Sequence, residues 1–540
     1  MTELLDTATE TLAGILRRRA VQSPDALAYV FLDEHGNEID SYTYAELHCR
    51  AGTVASALAS ICAPGERALL VFPPGLDFVV AFFGCLYAGV IAVPVVPPHT
   101  SQTADITRRI VVDCDPAAVL GVGGFRPLVD RPWIAVDELG AAGSAEPVDA
   151  EANHVALLQY TSGSTAAPKG VMVTHGNLVA NSALIARCMG HDAAPTVVGW
   201  APLFHDQGLI GNVLQPMYLG VPAYLMSPAA FIRRPLAWLQ AISKYRAHTS
   251  GGPNFAFDAC VAHAERTTVP ALDLSSWQVA FNGAEPLRAA TLDRFAKAFA
   301  PYGFAAEALY PCYGLAEATL FVTGSRKGRG PRRLGVDAAA LERGLVRAGA
   351  RTLVGSGVVD RSVAIVDPHT GARTAADRVG EIWVSAAHVA AGYWGRPTDE
   401  SFSGTLDGRR WLRTGDLGFV ADGELYVAGR RKDLIVIRGR NLYPQDIELT
   451  VQQAHPDVRR GRCAAFAVDG NDGERLVVVA ETRGAAAASD VVGSIRAAIV
   501  REHRATADVV LAGRGGLQLT SSGKIMRAAA RNRYLAGEFR

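Results

Sequence analysis

The chain has 540 residues and no formal net charge at pH 7, because 53 basic side chains balance 53 acidic ones. This length predicts two to four domains at about 150 residues each, and 49% hydrophobic with 20% charged residues is typical of a folded globular protein. The composition therefore excludes a disulfide-stapled mini-protein and an intrinsically disordered chain. The even charge balance disfavours nucleic acid as the main ligand.

The N-terminal sequence and the cysteines favour a cytoplasmic protein. Acidic residues at Glu3, Asp6 and Glu10 precede the basic run at residues 17–19, which is not the order of a secretory signal. The eight cysteines show no C-x-x-C or close Cys/His spacing that would suit zinc. We interpret them as buried thiols in a reducing compartment.

Residues 78–98 are free of charge and approach the length of a membrane span. Gly89 interrupts the stretch and leaves about a dozen residues for a helix, after which an apolar run looks like a short strand. We therefore predict a buried helix that leads into a strand, and no membrane span.

Apolar strands alternate with helical patterns along most of the chain, which predicts an α/β fold with buried sheets. The predicted strands are 68–72, 155–159, 221–226, 279–281 and 363–366, and two predicted helices are 236–247 and 289–300. Asp422-Gly423 then lies between two apolar runs, a typical hairpin signal. We expect a large N-terminal domain of packed sheets and helices over 1–431 and a small mobile α+β domain over 432–540.

The segment 160–170 points to a nucleotide. Small hydroxyl residues and glycine follow the strand at 155–159 and end in a lysine, and they offer backbone N–H groups and hydroxyls to a polyphosphate. These candidate phosphate ligands are Thr161, Ser162, Gly163, Ser164, Thr165 and Lys169. The spacing is not that of a Walker loop, and a surface turn is the alternative interpretation.

With that segment, four further motifs resemble the adenylate-forming superfamily, which includes acyl-CoA synthetases, luciferases and peptide-synthetase adenylation domains. They are Y-G-L-A-E at 313–317, T-G-D at 414–416, G-R-R-K-D at 429–433 and S-G-K at 522–524. The resemblance covers nearly the whole chain and implies an ATP-dependent enzyme with a large N-terminal and a small C-terminal domain. The segment departs from the family pattern at Ala166, where glycine is usual.

Several local sequences look most like one branch, the fatty acyl-AMP ligases. They are H-D-Q-G-L at 205–209, G-P-N-F-A-F at 252–257, L-A-E-A-T at 315–319, G-R-N-L-Y-P-Q-D-I-E at 439–448 and G-R-C-A-A at 461–465. This branch carries an insertion in its large domain, and residues 327–358 are placed to be it. The run at 353–360 differs from the G-x-P-L-P type that the family leads us to expect.

The resemblance also implies roles for single residues. Lys524 would lie on a loop that closes over the site and contact both the carboxylate and the α-phosphate, where fixed cations neutralise the growing charge. His205 would lie beside the acyl carboxylate, with a hydrogen-bonded core histidine as the alternative. Glu317 would hold Mg²⁺, a cation that takes carboxylate and phosphate oxygens, and Lys432 would be the hinge between the domains.

The remaining implied ATP-binding residues come from four places in the chain. Tyr313, with Gly314, would face adenine, and Gly283, Ala284 and Glu285 would line the base and the acyl entrance. Asp416 would accept the ribose hydroxyls and Arg430 would approach the same sugar, with a structural ion pair between them as the alternative. The acyl pocket would be lined from 200–211 and 251–257.

The resemblance implies activation of a fatty acid by ATP and Mg²⁺ to an acyl-adenylate, followed by transfer to the phosphopantetheine thiol of an acyl carrier protein. No carrier signature of the D-S-L kind follows residue 433, so the carrier would be a separate chain. An acyl-CoA ligase, adenylation of a non-fatty acid and an inactive scaffold are the alternatives. The absence of G-x-S-x-G and of an intact G-x-G-x-x-G disfavours a serine hydrolase and a dehydrogenase.

Overall fold

A computed structural model describes residues 10–124, 130–140, 145–161, 168–192, 195–437, 439–470, 473–520 and 523–539. Helices recur along all of this range. They are α1 (Leu12–Gln22), α2 (Tyr44–Ala59), α3 (Asp77–Tyr87), α4 (Ser101–Cys114), α5 (His175–Met189), α6 (Gln215–Leu219), α7 (Pro228–Arg233), α8 (Pro235–Lys244), α9 (Asn254–Ala264), α10 (Ala289–Phe299), α11 (Ala338–Leu341), α12 (Pro444–Ala454), α13 (Ala488–His503) and α14 (Arg527–Leu535).

Strands alternate with these helices in the first part of the chain and dominate its middle. They are β1 (Leu27–Leu32), β2 (Glu38–Thr43), β3 (Arg67–Leu70), β4 (Ile91–Pro94), β5 (Ala118–Gly121), β6 (Trp133–Ala135), β7 (Val155–Thr161), β8 (Lys169–Thr174), β9 (Val197–Gly199), β10 (Ala223–Met226), β11 (Thr249–Gly252), β12 (Val279–Asn282), β13 (Leu309–Tyr313), β14 (Thr323–Gly324), β15 (Arg333–Val336), β16 (Arg351–Val354), β17 (Val363–Val366), β18 (Gly380–Val384), β19 (Gly404–Leu406), β20 (Arg409–Ala421), β21 (Glu424–Arg430), β22 (Ile435–Ile437), β23 (Arg440–Leu442), β24 (Val458–Gly470), β25 (Gly473–Thr482) and β26 (Ala507–Ala512).

Two large sheets confirm the predicted α/β fold. One has the order β14-β13-β12-β11-β9-β10-β1-β2 and the other the order β6-β5-β3-β4-β7-β8. Neighbours inside each sheet are parallel, whereas β2, β14 and β8 pair antiparallel at the edges. Parallel strands need helices on both faces, and this explains the alternation of apolar strands and helices in the sequence.

The uncharged stretch at 78–98 is a buried helix and a strand, as predicted. Helix α3 buries residues 78–87, and the chain turns at Gly89, with φ of +68°, into β4. Gly84 lets α3 pack tightly on α2, since a Cβ there would lie 2.4 Å from Val54 Cγ1. No helix in the described ranges is long and apolar enough to cross a bilayer.

The eight cysteines all lie in the described part of the chain, where they form no disulfide. Five are buried and two are half-buried, as the thiol interpretation expects, but Cys49 is exposed. The expectation of buried thiols is therefore wrong for this one position.

Strands β17 to β21 form a third sheet, and one of its two-residue turns is the predicted hairpin. Asp422 and Gly423 have φ of +50° and +73°, the left-handed conformation that a two-residue hairpin turn requires. The turn joins β20 to β21, and the register of these strands places Asp416 opposite Arg430. The T-G-D and G-R-R-K-D motifs thus become direct neighbours.

Residues from Ile435 onward build a core of their own. The sheet β24-β25-β26 carries α12 and α13 on one face and α14 on the other. This is the α+β arrangement expected for the C-terminal segment. The boundary at 431/432 stays a prediction, as does the identity of 327–358 as a family insertion.

The segment 327–358 forms the hairpin β15–β16 around the short helix α11. Three hydrogen-bonded residue pairs among the described residues join this segment to the C-terminal segment. Arg440 Nη2 donates to Glu342 Oε2 at 2.6 Å, Asn441 N donates to Glu342 O at 2.9 Å, and Arg351 Nη2 donates to Asp446 Oδ1 at 2.8 Å.

Candidate active site

Several candidate residues that the structure describes come together at the carboxyl ends of the first large sheet, in a region here called the cleft. Residues 283–285 follow β12, and Tyr313 ends β13. Ligands of α/β proteins commonly bind outside the carboxyl ends of parallel strands. Asp416, on the third sheet, reaches the same place through its contact with Tyr313.

Asp416 is the buried centre of a polar triad. Tyr313 Oη donates to Asp416 Oδ2 and Arg430 Nε donates to Asp416 Oδ1, both at 2.8 Å. The carboxylate raises the pKa of Arg430, and burial followed by the same carboxylate raises the pKa of Tyr313. The structural ion pair, left open as the alternative, is therefore present. Each carboxylate oxygen keeps a second lone pair, so contact with ribose remains a prediction.

Lys524 lies in this cleft on a tight turn. Thr520 N donates to Lys524 O at 2.7 Å, and Gly523 has φ of +82°, which favours glycine. Gln102 at the start of α4 donates its amide to Leu519 O at 3.3 Å. The turn that carries the lysine is thereby docked on the large N-terminal segment.

The charges around Lys524 are mostly negative. The side chain keeps access to water, but the protein atoms around it desolvate the ammonium and lower its pKa. Asp206, Glu285 and Asp416 act against this effect, while Arg430 adds to it. A cation held among carboxylates at the mouth of a cleft is suited to meet anionic reactants.

His205 lies two residues before the start of a π-helix. Residues Gln207–Leu214 form a π-helix, and Asp206 Oδ1 accepts a hydrogen bond from Gln207 N at 2.7 Å. Burial, with a smaller contribution from Lys524, lowers the pKa of His205 to about 4. The imidazole is therefore neutral at pH 7. Burial also raises the pKa of Asp206.

Close backbone packing explains the glycines of the site. A Cβ on Gly314 would lie 1.8 Å from Leu320 O, and one on Gly283 would lie 2.9 Å from Cys312 O and Sγ. Ala284 has φ of +67°, a conformation that costs a non-glycine residue energy and is common at functional sites. Glu285 Oε1 is buried without a protein partner, which leaves it open to a ligand.

Glu317, the candidate metal ligand, lies in the short turn Ala316–Ala318. Tyr393 Oη donates to Glu317 Oε1 at 2.6 Å. The described residues hold no cluster of three or more metal-binding side chains. One carboxylate fits Mg²⁺, which is commonly held by one or two carboxylates together with substrate phosphates and water.

Lys169 begins β8 and pairs across the hairpin with Thr161, the last residue of β7. Its Nζ lies 2.7 Å from Asp399 Oδ2 and 4.5 Å from the centre of the Tyr393 ring. The other candidate phosphate ligands, Ser162, Gly163, Ser164 and Thr165, lie outside the described residues, as does Ala166.

Lys432 lies in the turn Arg431–Asp433 between β21 and β22. Burial lowers its pKa, and Arg430 lowers it further. The next residue, Asp433, accepts a hydrogen bond from Arg527 Nη1 at 3.1 Å. The candidate hinge is thus placed beside both the triad and the C-terminal core.

Aromatic side chains pack together in the region expected to line the acyl pocket. Trp200 stacks on Phe231 at 4.2 Å between ring centres and meets Phe255 edge-on at 5.7 Å. Gly252 leaves room for this indole, since a Cβ there would lie 2.6 Å from Trp200 Cζ2. Trp200 and Phe231 belong to a buried apolar cluster, and the acyl pocket itself stays a prediction.

Sequence reasoning missed several residues of this site. Tyr393, Asp399 and Gln102 contact the candidates or, for Gln102, the turn that carries one, but belong to no motif named from the sequence. Asp206 belongs to the H-D-Q-G-L motif but was given no role. Tyr393 is 76 positions from Glu317 in the sequence, so spacing carries no signal for this contact. Asp206 had a signal, because it follows His205 directly in a polar group.

Family models assign the chain to a family of enzymes. A model described as AMP-binding enzyme matches residues 16–394, and one described as Disco-interacting protein 2-like, AMP domain, matches residues 432–540. The chain belongs to the family of AMP-binding, adenylate-forming enzymes.

Among curated relatives, the medium-chain-fatty-acid acyl-carrier-protein ligase JamA of Moorena producens is 41% identical over 98% of this chain and 95% of its own. The long-chain-fatty-acid AMP ligase FadD32 of Mycolicibacterium smegmatis is 38% identical over 98% and 95%. A solved fatty acyl-adenylate ligase of Legionella pneumophila, in complex with acyl adenylate and pyrophosphate, is 40% identical with a TM-score of 0.78 and covers 97% of this chain and 96% of its own.

Proposed function

We propose that this protein is a fatty acyl-AMP ligase that passes its acyl group to an acyl carrier protein. The observation that carries the proposal is the position of Lys524. A lysine near the C-terminus faces Asp206, Glu285 and Asp416 across the cleft, where the motifs of the large segment converge. The related carrier-protein ligase and AMP ligase support the substrate class.

In the first step a fatty carboxylate attacks the α-phosphorus of ATP, a P–O bond forms, and pyrophosphate leaves. Lys524 would contact the carboxylate and the α-phosphate and stabilise the charge that grows between them. The neutral imidazole of His205 would orient the carboxylate by hydrogen bonding without forming an ion pair with it. Removing such a transition-state donor costs about 10²–10³ in rate.

The nucleotide would lie along the cleft from Tyr313 to the phosphate loop. The Tyr313 ring and Gly314 would meet adenine, residues 283–285 would line the base, and Asp416 with Arg430 would meet the ribose. Thr161, Ser162, Gly163, Ser164, Thr165 and Lys169 would bind the phosphates. Glu317 would hold Mg²⁺, which supplies positive charge against the phosphate oxygens.

In the second step the phosphopantetheine thiol of a separate carrier attacks the acyl carbon, a thioester forms, and AMP leaves. The C-terminal segment would rotate about Lys432 to admit the thiol, since a few backbone torsions can absorb such a motion. The rotation must break the contacts of Glu342 and Arg351 with that segment. We propose the cytoplasm as the site of this reaction.

The test incubates the purified protein with ATP, Mg²⁺ and fatty acids from C4 to C18, then adds coenzyme A or a phosphopantetheinylated carrier, with products read by mass spectrometry. Acyl-AMP that persists with coenzyme A and is consumed by the carrier is the expected result. Rapid acyl-CoA formation would contradict transfer to a carrier, and no adenylate from any acid would contradict a fatty substrate.

A matched pair of variants tests the role of Lys524. We expect Lys524→Ala to lower acyl-adenylate formation by at least about 10²-fold, while Lys297→Ala, on the exposed side of α10, leaves it unchanged. Adenylation at the wild-type rate by Lys524→Ala would contradict the assignment.

A further inference from the structure

Residues 390–402, here called the crossing segment, connect the β7–β8 hairpin, which carries candidate phosphate ligands, to the turn that contains Glu317. Trp394 N donates to Gly170 O at 2.8 Å and Met172 N donates to Gly392 O at 2.9 Å, so the segment pairs with β8. Its first residue, Ala390, donates its N–H to Glu317 O at 3.0 Å. One short stretch therefore touches the two places where phosphate and metal are expected.

Tyr393 is the residue of this segment that points between them. Its side chain is 6% exposed, and its hydroxyl donates to Glu317 Oε1 at 2.6 Å. A distance this short is typical of a hydroxyl bound to an ionised carboxylate. The bond occupies one oxygen of Glu317 and fixes the direction in which the other can face.

The ring of the same tyrosine covers the lysine of the phosphate loop. Lys169 Nζ lies 4.5 Å from the ring centre and also contacts Asp399 Oδ2 at 2.7 Å. An ammonium over an aromatic face is held by the ring quadrupole. Lys169 is thereby kept close to the Glu317 carboxylate without forming an ion pair with it in this structure.

We propose that Tyr393 is a positioning residue for adenylation, which orients Glu317 for Mg²⁺ through its hydroxyl and holds Lys169 for the phosphates through its ring. The inference rests on the proposed function, in which Glu317 binds the metal. Groups that orient metal ligands commonly change metal affinity or activity by about 10–100-fold when they are removed. Removing the hydroxyl should therefore impair metal binding, and removing the ring should impair phosphate binding.

The experiment measures binding of a non-hydrolysable ATP analogue by calorimetry, with and without Mg²⁺, and Mn²⁺ binding to the same complex by electron paramagnetic resonance. Tyr393→Phe removes only the hydroxyl. We expect it to raise the Mg²⁺ concentration for half-maximal analogue binding and the Mn²⁺ dissociation constant by about tenfold or more, and to leave metal-free binding within about twofold. Tyr393→Leu also removes the ring, and we expect it to weaken metal-free binding as well.

Tyr29→Phe is the matched control, because it removes another buried hydroxyl, which donates to Val213 O at 2.8 Å. It should leave all these quantities unchanged. Unchanged metal dependence in a folded Tyr393→Phe protein would overturn the inference, as would an equal loss of metal-free and metal-dependent binding. If Tyr393→Phe does not fold, metal-free binding by Tyr393→Leu at the wild-type affinity would overturn the part that concerns the ring.

These binding measurements do not need turnover. A wild-type protein that binds the analogue with Mg²⁺ but forms no acyl-AMP would contradict the proposed function and leave the role of Tyr393 standing. Normal acyl-AMP formation together with an unaffected Tyr393→Phe protein would support the proposed function and contradict the role of Tyr393.

Discussion

Replacing Arg527 with Met should unfold the C-terminal segment at a much lower denaturant concentration. Arg527 Nε and Nη2 donate to the two oxygens of Glu448 at 2.7 and 2.8 Å, and Nη1 donates to Asp433. Glu448 is 9% exposed in its side chain, and its remaining protein donor is Ala465 N at 3.1 Å. The substitution therefore leaves a nearly buried carboxylate with a single backbone hydrogen bond.

Removing one partner of a buried ion pair costs about 3–5 kcal/mol. Arg527 is itself 25% exposed, so water can reach part of the vacated space, and we expect the lower end, about 3 kcal/mol. The same principle predicts that replacing both partners by apolar residues of similar size restores most of the stability. Glu448→Leu combined with Arg527→Met is thus the informative double variant.

Hydrogen exchange of β24 and β25 in urea, followed by mass spectrometry, reports unfolding of this segment separately from the rest of the chain. The single variant should lose protection at lower urea than the wild type, and the double variant should regain most of it. A loss below about 1 kcal/mol in the single variant, or a double variant less stable than the single, would refute the reasoning.

Two further outcomes follow from the same structure. Gly252→Ala should displace Trp200, because the new Cβ would lie 2.6 Å from Trp200 Cζ2. In a series of fatty acids, kcat/KM should fall roughly fourfold for each methylene that the displaced indole excludes, while KM for ATP stays unchanged. An unaltered chain-length profile would contradict a role of Trp200 in the acyl pocket. Burial lowers the pKa of His175 to about 4, below its unfolded value of about 6.5, so unfolding binds a proton and the contribution of His175 to stability is lost as pH falls from about 6.5 towards 4. His175→Gln should therefore narrow the difference in Tm between pH 7.5 and 5.5, and an equal difference in both proteins would show that the imidazole is not desolvated.

The fold could be predicted well wherever the pattern was local. The helix expected at 289–300 is α10, and the strand at 363–366 is β17 with the same bounds. The Asp-Gly turn fixed its hairpin because few residues tolerate positive φ at two successive positions. The order of strands in the large sheets could not be read, since β1 pairs with β10 across nearly 200 residues and no local rule selects that partner.

The site could be predicted as a set of residues but not as a set of contacts. Tyr313 and Asp416 were each expected at the nucleotide, yet the hydrogen bond between them depends on how the first and third sheets pack. The Asp416–Arg430 pair, in contrast, lies within a single hairpin. The dependence on packing also holds for Lys169 and Asp399, which are 230 positions apart. Such pairs need tertiary packing, which periodicity and spacing do not encode.

The contacts between the hairpin at 333–354 and the C-terminal segment bear on how the enzyme would behave without an acceptor. In the proposed second step, the bonds of Arg440 and Asn441 to Glu342 and of Arg351 to Asp446 would have to open before the thiol enters. Contacts that hold the C-terminal segment in place would also retard escape of the acyl-adenylate. The enzyme alone should therefore form about one equivalent of pyrophosphate per active site in a rapid burst, followed by slow turnover limited by release of the acyl-adenylate. The size of the burst would measure the fraction of active enzyme.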